Sequence, residues 1–187
     1  GGPVSSGTCA ACHSGGSFGA NTLIELVNGS GSVVTSYTSG QTYTIRTTVS
    51  GSGSGFGSQT VALTASNTNA GSMSSPSANA QIATVSGRDY FEHDNGFSAS
   101  GVFQVSWTAP VAGTGTVNLY GIGLVVNGNG GTSGDQSSPT AMTSITEDLP
   151  TTISYPGTPF CGNDANQAPV QTGETGGVFS SLAGLDI

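Results

Sequence analysis

The residues best suited to chemistry lie near the start of the chain, in the stretch GTCAACHSG. It places Cys9, Cys12 and His13 in the spacing Cys-x-x-Cys-His. In this spacing two thiols can add to the two vinyl groups of a haem, and the adjacent imidazole then lies under the iron. The spacing therefore predicts one covalent haem c with His13 as an axial ligand.

Three other uses of the cysteine–histidine cluster remain open. A Cys9–Cys12 disulfide suits an exported protein but does not require His13. A zinc site needs a fourth ligand, for which the chain offers only Cys161 and His93. A thioredoxin-like redox pair needs a strand–helix context, which the glycine-rich flanks do not provide.

His93 is the second of the two histidines in the chain and lies in RDYFEHDNG, at the end of an aromatic strand pattern. On a strand Phe91 and His93 share a face, so we expect Phe91 to cover the macrocycle while His93 binds the iron from the distal side. Met73 and Met142 are the alternative sixth ligands, and either would raise the reduction potential. With both axial positions filled by protein, the iron is left with electron transfer, and we expect no enzymatic activity.

A glycine-rich stretch, NGNGGTSGDQSSP, offers a second, weaker candidate site. Asn127, Asn129 and Asp135 carry oxygens of the kind that bind Ca²⁺. The acidic ligands of a regular calcium loop are missing, so a plain glycine-rich loop is the favoured interpretation.

Composition excludes several classes of partner. Only 6% of the 187 residues are charged and the net charge is −8, with Arg46 and Arg88 as the strong cations. Nucleic acid and anionic lipid would find little counter-charge here. The apolar stretches are far shorter than the roughly 20 residues that span a bilayer, so we expect no membrane insertion. The start at Gly1 and the absence of lysine predict a processed, secreted protein, either extracellular or on the cell surface.

Alternating apolar and polar residues recur along the chain and predict the fold class. In QTYTIRTTVS and SGVFQVSW every second residue is apolar or β-branched. With TVNLYGIGLVV and five similar stretches they give about eight or nine short strands separated by Gly, Ser and Asn turns. The sequence therefore predicts an all-β, antiparallel β-sandwich, Ig-like or reeler-like. SGSGSGFGS and NTNAGSMSSPSAN are predicted to be loops.

The pattern changes near Asp148, so we predict a haem-bearing sandwich over residues 1–147 and an extended β tail over residues 148–187. The tail holds few large apolar residues and is expected to pack on the sandwich or on another chain. It also contains Cys161, which is unpaired if the other two cysteines hold haem.

Several stretches together resemble a known family. The Cys-x-x-Cys-His-Ser-Gly start, TSGQTYTIRTTVS, YFEH, WTAPVAGTGTVNLYG and VVNGNGGTSGDQ, in this order, resemble a reeler-type β-sandwich domain of secreted Bacteroidota proteins. The resemblance covers roughly residues 7 to 145. It implies haem attachment at Cys9 and Cys12 and ligation by His13 and His93.

The tail is similar to the first part of a repeat found in Bacteroidota surface and gliding-associated proteins. That repeat normally continues beyond the point where this sequence stops. We expect either processing from a longer precursor or missing strands supplied by a neighbouring chain, which would give a homo-oligomer or filament.

Two functions follow from these observations. The first is a secreted mono-haem c-type cytochrome with bis-histidine ligation that transfers electrons outside the cell. The second is a structural or adhesive surface module in which the haem, or a Cys9–Cys12 disulfide, only staples the amino-terminal segment.

Overall fold

A computed structural model describes residues 9–94, 96–149, 152–154 and 170–172. Contacts divide the chain into two units, Gly1–Asp148 and Leu149–Ile187. In the first unit the described elements are a 3-10 helix at Cys9–Ala11 and the strands β1 Ser14–Gly15, β2 Asn21–Val27, β3 Val33–Val34, β4 Ser36–Tyr37, β5 Thr42–Ser50, β6 Gly55–Thr64, β7 Ser72–Ser74, β8 Ala80–Val85, β9 Arg88–His93, β10 Val102–Thr108, β11 Val117–Val126, β12 Ser133–Ser137 and β13 Ala141–Glu147.

These strands form two sheets. One has the order β1-β12-β11-β6-β9-β8, with β13 paired to both β11 and β4. The other has the order β3-β2-β5-β10-β7. Their pairing is antiparallel except for two short parallel pairs, β1 with β12 and β4 with β13. The prediction of an all-β, largely antiparallel sandwich is confirmed.

The alternation seen in the sequence builds the core between the sheets. On β5 the residues Ile45, Thr47 and Val49 are buried, while their neighbours are more exposed. β10 buries Phe103, Val105 and Trp107 in the same way. One side of each strand thus packs inward, as period-two alternation requires.

Two buried aromatic side chains anchor the end of the sandwich where β10 finishes. The indole Nε1–H of Trp107 donates to the carbonyl of Ala70 at 2.7 Å. The hydroxyl of Tyr37 donates to the carbonyl of Gly115 at 2.6 Å. The two rings meet edge to face at 5.6 Å, so both rings are buried with their polar groups bonded.

At high pH the free energy of unfolding depends on the ionisation of Tyr37. Burial raises its pKa from 10.0 to about 12, and the carboxylate of Glu147 adds to the shift. The folded chain therefore keeps a proton that the unfolded chain releases. This contribution to stability is complete below pH 10 and is lost as the pH rises from 10 to 12.

We expect the difference in unfolding free energy between the protein and its Tyr37→Phe variant to shrink as the pH rises from 10 to 12. Urea unfolding of both proteins at a series of pH values from about 9 to about 12 measures this difference. A difference that does not change with pH would contradict the prediction.

The fold also contains strands that the sequence pattern did not predict. β12 lies in the stretch NGNGGTSGDQSSP, which was predicted to be a loop, and β7 lies within NTNAGSMSSPSAN. β6 begins at Gly55, inside the third predicted loop. β12 contains no apolar residue, so it has no hydrophobic alternation to reveal it.

In the second unit the structure describes two strands, β14 Thr152–Ser154 and β15 Val170–Thr172, which pair antiparallel. Cys161 lies outside the described residues. Within the described part of the chain, no helix has the length and apolar character needed to cross a membrane.

Candidate haem-binding site

The cysteine–histidine motif is attached to one end of the sandwich through β12. The Cys9 carbonyl accepts from the main-chain N–H of Cys12 at 3.2 Å and from that of His13 at 2.8 Å, which closes a tight turn. β1 follows immediately and pairs in parallel with β12. The side-chain Oε1 of Gln136 on β12 then accepts from the main-chain N–H groups of Phe18 and Ala20. Local turn formation and β12 thus fix the position of His13.

His13 faces a buried carboxylate. Its Nδ1 lies 2.7 Å from Oδ2 of Asp135, and the Asp135 side chain is 0% exposed. A neutral imidazole that donates from Nδ1 has its lone pair on Nε2. Ligating histidines commonly donate the other ring N–H to a carboxylate or a carbonyl, which fixes both tautomer and ring orientation. With the proton on Nδ1, Nε2 of His13 carries the lone pair, as it does in ligating histidines.

His93 ends β9 and is oriented through the same ring atom. Its Nδ1 lies 3.2 Å from the Ser58 carbonyl oxygen, and the main-chain N–H of Ser58 on β6 is directed at the same nitrogen at 3.3 Å. The two contacts belong to different tautomers: a proton on Nδ1 is donated to the carbonyl and leaves the lone pair on Nε2, whereas a proton on Nε2 lets Nδ1 accept from the N–H. The ring of His93 lies over Gly57, where an added Cβ would approach its Cε1 to 3.2 Å. A side chain at position 57 would displace this imidazole.

Phe97 brings the two histidines together. Its ring stacks on His93 with the centroids 5.5 Å apart and the planes inclined by 15°. The same ring meets His13 edge to face at 6.0 Å. Two residues that are 80 positions apart in the sequence therefore share one aromatic neighbour. Phe97 is 42% exposed, so this cluster lies at the surface.

The two cysteines lie beside this cluster and are free thiols. Burial raises the pKa of the Cys9 thiol, and Cys12 and Glu92 raise it further, against a smaller lowering by a backbone hydrogen bond. The Glu92 carboxylate, which directly precedes His93, is thus close enough to Cys9 to act on it. A thioredoxin-like thiol needs a lowered pKa, so the arrangement disfavours that alternative.

The aromatic ring that contacts His93 is that of Phe97, in the loop after β9. Phe91, which was predicted to cover the macrocycle, is fully buried in the core between the sheets. Covering of a macrocycle by Phe91 stays a prediction, and Phe97 is the ring next to the two histidines.

The two methionines occupy strands rather than loops. Met73 is on β7 and packs against the core beside β10. Met142 is on β13, opposite Tyr120, and is 57% exposed. Neither strand pairs with β9 or with β1.

The three residues of the candidate calcium site have partners within the loop. Oδ1 of Asn127 accepts from the N–H of Asn129 at 2.9 Å, and Oδ1 of Asn129 accepts from the N–H of Gly131 at 2.8 Å. Oδ1 of Asp135 accepts from the N–H of Asn127 at 3.0 Å. Among the described residues, no group of three or more His, Cys, Asp or Glu side chains is arranged around a common point. A calcium site here stays a prediction, and these oxygens already shape the loop.

Sequence reasoning missed two residues of the cluster. The sequence suggested Asp135 only as a calcium ligand. In the structure its carboxylate bonds to His13, which lies 122 positions earlier in the chain. Phe97 follows Asp94-Asn95-Gly96 in the sequence and was not considered at all. A buried acidic residue in a polar strand was the available signal for Asp135, but no local pattern reveals its distant partner.

Comparison with known proteins bears on the fold. No protein-family model and no curated protein sequence matches the chain. The Reelin-N domain of F-spondin is 19% identical over 74% of this chain and 94% of that domain, with a TM-score of 0.50. The chain has a reeler-like β-sandwich fold.

Two crystal structures of the human F-spondin reeler domain also match. Fragment 1 is 18% identical over 72% of this chain and 92% of that chain, with a TM-score of 0.47. Fragment 2 is 19% identical over 67% and 91%, with a TM-score of 0.45. At this level of identity the likeness concerns the fold and not the cluster at its end.

The side chains at the end of this reeler-like sandwich fit a covalent haem. Two free thiols lie next to an imidazole, and a second imidazole lies against the same phenyl ring. In the tautomers that carry the proton on Nδ1, Asp135 and the Ser58 carbonyl accept it, and Nε2 of each ring is the nitrogen left for a metal. These residue types are the ones from which a bis-imidazole c-type site is built.

Proposed function

We propose that this protein is a mono-haem c-type cytochrome that transfers electrons. Cys9 and Cys12 would hold the haem covalently, and His13 and His93 would be the ligands of its iron. The observation that supports the proposal is that both imidazoles contact Phe97 and that Nδ1 of each lies within hydrogen-bond distance of a protein acceptor, Asp135 for His13 and the Ser58 carbonyl for His93. A covalent motif alone would explain His13 but not this placement of His93.

Electron transfer is the chemistry that this set of ligands favours. Iron bound in this way supplies one-electron redox chemistry. With His13 and His93 both bound to the iron, a substrate would have to displace one of them. His93 is held by the main chain of β6 and His13 by a buried carboxylate, and both contacts resist that displacement. The protein therefore acts as a carrier and not as an enzyme.

A structural role for the site is the second candidate. His13 belongs to the amino-terminal segment, whereas His93 ends a strand of the sheet. A group bound by both would staple that segment to β9. Pairing of β1 with β12 already attaches the segment downstream of His13, so a staple would order mainly Cys9–His13.

Location and assembly complete the proposal. Secretion is supported by the lysine-free, weakly charged composition. Association of chains through residues 148–187 is proposed from the likeness of this tail to part of a surface-protein β-repeat, and it would bring successive sites into one assembly.

The absorption spectrum of the purified protein tests the function. We expect a low-spin c-type spectrum with sharp bands on reduction, a mass increased by one haem, and a reversible one-electron wave in voltammetry. The mass and the bands distinguish haem from a disulfide. Reversible exchange of electrons between molecules then distinguishes a carrier from a staple. A protein without haem, or with haem that cannot be reduced reversibly, would contradict the proposal.

A further inference from the structure

Asp135 is held rigidly from three directions. Its side chain is fully buried, with Oδ2 2.7 Å from His13 Nδ1 and Oδ1 accepting from the N–H of Asn127 at 3.0 Å. Its main-chain carbonyl accepts from the N–H of Gly16 at 2.9 Å. Both carboxylate oxygens are therefore in use, and the one that faces the imidazole cannot turn away without breaking the other bond.

The two histidines differ in the acceptor at Nδ1. His13 faces a carboxylate, whereas Nδ1 of His93 faces the neutral carbonyl and N–H of Ser58. A carboxylate acceptor fixes the tautomer and makes the imidazole a stronger electron donor than a carbonyl does. A more strongly donating ligand stabilises oxidised iron over reduced iron. His13 would thus be the stronger electron donor of the two imidazoles.

We propose that Asp135 is the positioning residue of this site and that it lowers the reduction potential through His13. This inference rests on the proposed haem attachment and extends it, because it names the residue that controls the potential. Asp135 would act only through the imidazole of His13, since Oδ2 bonds to that ring and Oδ1 to the main chain of Asn127.

The test compares the midpoint potential of the haem protein with that of Asp135→Asn. Asparagine keeps the size and an acceptor oxygen but removes the charge. We expect the ratio of oxidised to reduced protein at a fixed potential to fall at least tenfold, which is a rise of about 59 mV for one electron. The low-spin electron paramagnetic resonance signal should shift as well, since it reports the donor strength of the imidazoles. Asp135→Glu should recover part of both changes.

Glu92→Gln is the matched control. Glu92 is also a carboxylate near the motif, but it bonds to the side chains of Gln59 and Gln81 and not to an imidazole. We expect its effect on the oxidised-to-reduced ratio to be less than threefold. Equal effects of Asp135→Asn and Glu92→Gln would overturn the inference, because they would reflect only the general field of a carboxylate.

A measurement on the unaltered protein covers the case in which Asp135 variants do not fold. In the reduced state the Nδ1 proton of His13 should exchange with solvent roughly tenfold more slowly than that of His93, because a charge-assisted hydrogen bond holds it. Exchange at the same rate would overturn the inference. Purified protein without haem would instead overturn the proposed function, so the two failures are distinguishable.

Discussion

Replacing both motif cysteines, Cys9→Ala with Cys12→Ala, should abolish covalent haem completely. Each thioether needs one of these sulfurs, and both are free thiols at the end of the sandwich. Haem staining after denaturing electrophoresis should disappear, and the intact mass should equal that of the polypeptide alone. The fold should persist, because neither cysteine belongs to the core between the sheets.

Cys161→Ala is the matched control for this experiment. It removes the remaining cysteine, which is far from the motif in sequence. We expect full retention of haem in this variant. Covalent haem that survives loss of Cys9 and Cys12, or that disappears with Cys161, would place the attachment elsewhere in the chain.

His93→Ala should keep the haem attached but convert its spectrum from low-spin to high-spin. The covalent links and His13 are untouched, whereas the second axial ligand is removed. The bond from the ring to the Ser58 carbonyl is lost as well, which we expect to cost about 1 kcal/mol of stability. Absorption spectra and urea unfolding measure the two effects.

The same substitution should loosen the amino-terminal segment only locally. Amide hydrogen exchange should accelerate at Cys12 and His13, which depend on the turn at Cys9. Ser14 and Gly15 should change little because they pair with β12. Acceleration throughout the sandwich would indicate general unfolding and not loss of a ligand.

Met142→Ala and Met73→Ala are the controls for the identity of the ligand. Both methionines lie on strands that pair with neither β1 nor β9. We expect their low-spin spectra to match that of the unaltered protein. A high-spin spectrum in either variant, together with a low-spin spectrum in His93→Ala, would assign the sixth position to methionine.

The fold class could be predicted because alternation is a local property. Buried residues alternate with more exposed ones along β5 and β10. They include Ile45 and Val49 on β5 and Trp107 on β10. β12 escaped prediction for the opposite reason. It carries Asp135 and Gln136, whose partners His13, Phe18 and Ala20 lie more than 100 residues away, and hydrophobic periodicity does not report such contacts.

The sequence by itself predicted the attachment chemistry and supplied the two candidate imidazoles. The spacing of Cys9, Cys12 and His13 follows covalent geometry over five residues, and His93 is the one other histidine. Only the tertiary structure decided what surrounds them. Folding of the sheets places Asp135 behind His13, and the chain after β9 brings Phe97 to both rings, while Phe91 turns into the core. These contacts join distant segments, so they depend on how the sheets pack and not on any local pattern.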